Sequence, residues 1–103
     1  MTEISFNEAE ALFNKGNSLA NLRHYEEALA AYNELITRFA NSQDTDIQQA
    51  VARALHNKGF ELANLDRYEE ASAAYNELIT RFANSQDLTI QQLVADAFSL
   101  GKI

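Results

Sequence analysis

Paired carboxylates, a short run of oxygen ligands and two histidines are the residues of this chain whose types suit chemistry. Glu26-Glu27 and Glu69-Glu70 offer the two carboxylates that acid–base catalysis uses. Consecutive helical residues point about 100° apart, so neither pair converges on one site. Both pairs stand at a helix start, where negative charge complements the helix dipole. Asp44-Thr45-Asp46-Ile47-Gln48 opens like a calcium loop, but Gln49 stands where the tight turn needs Gly and Leu55 where the bidentate Glu belongs. Its later counterpart, Asp87-Leu88-Thr89, also loses the second carboxylate. His24 and His56 are 32 residues apart in a chain without Cys, which leaves no zinc-ligand set within one chain; His24 reads as a solvated turn residue. No Ser is tied to a His by a nucleophile motif, and Gly101-Lys102 lacks the preceding glycine loop of a phosphate cradle. The expectation is a chain with no catalytic residue, no metal and no cofactor, and hence no enzyme.

The elements that carry these residues repeat. Tyr25-Glu26-Glu27-Ala28 returns as Tyr68-Glu69-Glu70-Ala71, and Asn14-Lys15-Gly16 as Asn57-Lys58-Gly59, both at an offset of 43. Residues 11–53 and 54–96 agree at 33 of 43 positions, and 30–44 match 73–87 without a break. A third copy starts with Ile90-Gln91-Gln92, the counterpart of Ile47-Gln48-Gln49. The boundaries expected for the copies are about 4–44, 45–87 and a partial 88–103, together one repeat domain over 1–103.

Each copy reads as two helices. Tyr25, Ala28, Leu29, Tyr32, Leu35, Ile36 and Phe39 form an i, i+3, i+4, i+7 stripe with no strand alternation. Glu34 precedes Arg38 by four residues, and Glu77 precedes Arg81 likewise, which gives one surface pair in each copy. Ala40-Asn41-Ser42-Gln43-Asp44 is turn chemistry, with Asp44 or Thr45 as the next N-cap, and Ser5 with Glu8 has the spacing of a capping box. The periodicity predicts helices over about 5–22, 25–40, 45–65, 68–83 and 88–102. Connections of two or three residues within a pair force antiparallel hairpins.

Leu12, Gly16, Leu19, Tyr25, Ala28 and Tyr32, repeated as Leu55, Gly59, Leu62, Tyr68, Ala71 and Tyr75, resemble the tetratricopeptide repeat. The chain departs from the common pattern in its period of 43 instead of 34, in lacking the closing Pro, and in placing Leu35 and Leu78 where a small residue is usual. In this it is similar to the extended, roughly 42-residue tetratricopeptide-like repeats of bacterial proteins, with the extra residues lengthening the first helix by up to two turns. The resemblance implies an all-α, right-handed α-solenoid of antiparallel hairpins, five helices in all. It also implies that one side of each first helix lines a concave groove for a protein ligand.

The positions where near-identical copies disagree are the candidate ligand contacts. Glu10, Phe13 and Asn17 correspond to Arg53, His56 and Phe60 and then to Asp96, Ser99 and Ile103, and all three positions differ in every copy. This stripe lies roughly 100–160° from the core-facing leucines. Read with the resemblance, Glu10, Phe13, Asn17, Arg53, His56 and Phe60, with Asn21 and Asn64 at the edge, form the groove for a peptide or helix. The plain alternative is drift on an unconstrained surface. Drift leaves mostly polar residues, whereas two of the stripe residues are Phe. The carboxylate clamp found in some family members is at best partial here, and Lys15 projects from the other flank, where it covers apolar surface with its stem.

A second function follows from the uniformity of the copies: a self-assembling segment of a longer homogeneous array. The last helix has no partner helix after it, so Ile90, Leu93, Val94, Ala97, Phe98 and Leu100 are the expected self-association face, giving a homo-oligomer. Eight basic residues against fifteen acidic ones argue against a nucleic-acid partner. No stretch approaches a membrane span and Met1 to Gly16 has no signal-peptide pattern, so the expected location is cytoplasmic and away from the membrane.

Overall fold

The apolar stripes fold into five helices: α1 (Thr2–Asn21), α2 (Tyr25–Arg38), α3 (Thr45–Asn64), α4 (Tyr68–Phe82) and α5 (Leu88–Leu100). The computed structural model describes residues 2–101, with side chains from residue 5 onward. The expected end of the last helix, Lys102, lies outside the described residues. α1 pairs with α2 and α3 with α4 as hairpins; α2 packs on α3, α4 on α5, and the first helices stack, α1 on α3 and α3 on α5. The result is a helical-hairpin solenoid.

Each hairpin closes on a Tyr seated against a Gly. A Cβ added at Gly16 would lie 2.5 Å from Tyr32 Cε1, and one at Gly59 equally close to Tyr75 Cε1. Glycine lets the aromatic ring come close to the helix backbone, and any larger residue must displace the tyrosine. Tyr32, Leu35, Leu55, Leu78 and Ile90 are fully buried. Leu35 and Leu78, the departures from the usual small residue, therefore sit in the core and fill space.

The turn inside each hairpin is a Schellman-type stop. His24 N–H donates to Leu19 O (2.8 Å) and Arg23 N–H to Ala20 O (2.9 Å); Arg67 and Asp66 repeat this on Leu62 and Ala63. Arg23 and Asp66 consequently take positive φ, 64° and 60°.

Between hairpins, Asp44 caps α3 by accepting from Ile47 N–H (3.1 Å), and Asp87 caps α5 from Ile90 N–H (2.9 Å). Ser42 and Ser85 hydroxyls each accept from the backbone of the capping Asp, while Gln48 and Gln91 donate back to the Ser42 and Ser85 carbonyls. The N-terminus differs from expectation. α1 begins at Thr2, so Ser5 lies inside the helix, and Glu8 is paired across the hairpin with Arg38 (3.1 Å) instead of closing a capping box. The surface pairs expected along α2 and α4 are present, Glu34–Arg38 at 3.3 Å and Glu77–Arg81 at 2.6 Å.

Candidate functional site

Stacking of α1 on α3 sets the two halves of the variable stripe on neighbouring helices. Phe13 is half-buried with its ring 6.0 Å from that of Tyr32, and His56 takes the equivalent place 6.1 Å from Tyr75, edge toward face. Each rests on the tyrosine of its own hairpin, so the solenoid presents two adjacent, chemically different ring platforms. Glu10 is half-buried; Asn17, Asn21, Arg53 and Asn64 are exposed, and Phe60 is 53% exposed. From the third copy, Asp96 is half-buried and Ser99 exposed, while Ile103 lies outside the described residues.

One member of this neighbourhood escapes sequence reasoning. Glu61 is a carboxylate only 6% exposed, accepting from Asn64 Nδ2 at 3.1 Å. Burial raises its pKa from the ordinary carboxylate value, and the Asn64 hydrogen bond offsets part of that. The Tyr32 and Tyr75 hydroxyls are also pushed up, chiefly by burial and additionally by the Glu61 charge. Asn57 Nδ2, 3.4 Å from the Tyr32 hydroxyl, acts the other way on Tyr32. The available signal was that Ser18 and Glu61 differ between copies. A difference alone does not distinguish a buried position from an exposed one.

The remaining candidates take ordinary roles. His24 Nδ1 lies 3.1 Å from Glu27 in an exposed turn. Glu26 joins the hairpins by pairing with Arg67 at 3.1 Å, and Arg67 also holds Glu70. Lys58 lies beside Leu29, Ala30 and Leu62 in a cleft of about 450 Å³, with its stem available to cover the leucines. Among the described residues no three His, Asp or Glu side chains are grouped to hold a metal. No described helix is long and apolar enough to cross a membrane.

The self-association face divides in two. Ile90 and Ala97 are fully buried and cannot meet another chain. They correspond to Ile47 and Ala54, themselves 2% and 0% exposed, so α5 docks on the preceding hairpin with the same face as α3. Leu93, Val94 and Leu100 are half-buried, Phe98 is 53% exposed, and Leu88, outside the expected set, is 80% exposed.

Two family models described as tetratricopeptide repeat match the chain, one over residues 9–42 and one over residues 52–84. The chain belongs to the tetratricopeptide-repeat family. Comparison with curated proteins and with solved structures gives no match. The second match begins at Ala52 while α3 begins at Thr45, so the extra residues of the long period extend the first helix of the hairpin by about two turns. Tetratricopeptide repeats are generally protein–protein interaction modules, and the family is typically a non-enzymatic scaffold.

Proposed function

We propose that this protein is a non-enzymatic scaffold that binds a peptide or helix of a partner protein along the stripe of α1 and α3. The observation that carries this reading is the aromatic character of positions where the copies differ: exposed Phe60 and half-buried His56 on α3, and half-buried Phe13 on the neighbouring α1. A large exposed aromatic on a helix, with Arg53 on the same helix and Asn17 and Glu10 on the neighbouring one, has the make-up of an interface anchor with a polar rim. Selection of ligands from a displayed peptide library with the whole chain, followed by calorimetry, tests it. Phe60→Ala should weaken the selected peptides by about 1 kcal/mol or more at unchanged thermal stability. Equal affinity for parent and variant would return Phe60 to ordinary surface.

The second reading is self-association through α5, favoured by the exposure of Leu88 and Phe98. In this reading the half-buried Leu93, Val94 and Leu100 support the contact, and Ile90 and Ala97 only hold α5 in place.

A further inference from the structure

Among the described residues Glu61 is the one charged side chain that is buried. No Lys, Arg or His among them pairs with it, and what moves its pKa is burial, upward, and the Asn64 amide, downward. The carboxylate sits where the two hairpins meet. One turn earlier on α3, Asn57 reaches across to the Tyr32 hydroxyl of the first hairpin (3.4 Å). Tyr32 and Tyr75, one from each hairpin, both stand near enough to feel the Glu61 charge. One turn later, exposed Asn64 donates to Oε1 at 3.1 Å. Oε2 accepts from none of the described residues. Every fully enclosed side-chain oxygen and nitrogen among those residues does have a partner, so Oε2 keeps an opening to solvent.

A buried carboxylate lowers stability unless a cation or several donors answer it, and departures of that kind belong where function uses them. Packing of the hairpin does not demand the charge, since Ser18 holds the same position in the first copy. We propose that Glu61 is a specificity subsite for a lysine of the bound peptide, whose ammonium enters beside Asn64 and pairs with Oε2. This rests on the reading of the α1 and α3 stripe as a peptide groove, with Asn64 at its edge. Lysine is preferred to arginine because Asn64 already holds Oε1, whereas a guanidinium fork needs both oxygens. The formal charge of −7 on the whole chain draws a basic ligand and repels an acidic one. A metal ion fits less well, because no described group of three His, Asp or Glu includes Glu61.

The test uses peptides selected on the whole chain from a random displayed library, each then titrated by calorimetry against the parent, Phe60→Ala and Glu61→Gln proteins. The selected peptides should share a lysine at a fixed distance from an apolar anchor. Replacing that lysine by norleucine should weaken binding to the parent about tenfold, whereas Glu61→Gln should bind the lysine and norleucine forms alike. Arginine in the same place should fall between them on the parent. Glu61→Ser, which copies Ser18 of the first repeat, should behave as Glu61→Gln does, and melting curves show that both variants fold. Peptides that depend on Phe60 yet share no lysine, or lose the same factor on parent and Glu61→Gln, overturn the subsite and leave the groove standing. Peptides indifferent to Phe60→Ala, or a library without a saturable binder, overturn the groove reading and the subsite with it.

Discussion

Glu61 ionises at a cost, because it sits between two hairpins with a single amide donor and little water. Its folded-state pKa is raised above the unfolded value by burial, so its contribution is fully present below the ordinary carboxylate pKa and is lost as pH rises through the folded one. Glu61→Gln keeps an acceptor for Asn64 and removes the charge. The variant should unfold at higher urea than the parent at neutral pH, and the two should converge below about pH 4, where the parent carboxyl is protonated. A variant no more stable at neutral pH would mean that the Asn64 hydrogen bond and local water already satisfy the ion. The same residue marks the limit of sequence reading at this scale. Phe13, Asn17, His56 and Phe60 were found because copies that otherwise agree disagree there, and the structure places them on neighbouring helices. Ser18 against Glu61 is the same kind of difference, yet its meaning depends on α2 and α4 closing around it, which no spacing along the chain reveals.

Among the elements, helix positions were legible because every stripe has a 3.6-residue period and every junction carries its own stop or cap. The two misreadings share a cause. Ser5 and Glu8 have capping-box spacing, but α1 runs on to Thr2 and Glu8 finds Arg38, a partner 30 residues away. In α5, periodicity groups Ile90, Leu93, Val94 and Ala97 on one broad apolar face, and only packing decides that the Ile90–Ala97 edge is taken by the preceding hairpin. What anchors α5 is Asp87, whose carboxylate accepts from Ile90 N–H and from Gln49 Nε2 at 2.9 Å each. The Ile90 N–H first, then Gln49, hold its pKa below the ordinary value, so the stabilisation is present above the unfolded carboxylate pKa and is lost as pH falls through the folded one. Asp87→Ala should therefore reduce hydrogen-exchange protection across 90–97 at neutral pH while leaving α1 and α2 unchanged, and should have little effect in acid. Equal loss of protection in all helices would show instead that α5 and the first hairpin open as one cooperative unit.

For the whole molecule, apolar exposure and charge pull in opposite directions. Leu88 and Phe98 lie open on α5, favouring contact with another chain, while each whole chain carries a formal net charge of −7 that repels its like. At low salt the Debye length is about 30 Å, comparable with the molecule's own extents of 39 × 30 × 18 Å, so repulsion acts between whole molecules. At physiological ionic strength it shrinks to about 8 Å, and the apolar contact decides the outcome. If α5 is the self-association face, light scattering should give the 11.5 kDa monomer in dilute, low-salt solution and a rising mean mass as protein and salt increase together. Phe98→Glu should keep the chain monomeric under the same conditions without lowering its melting temperature, because that side chain is more than half exposed in the single chain. The salt dependence separates this from association by ion pairs, which screening weakens. A mass that stays at the monomer value to millimolar concentration at physiological salt would remove α5 as an assembly face and leave the stripe on α1 and α3 as the surface through which this scaffold meets other proteins.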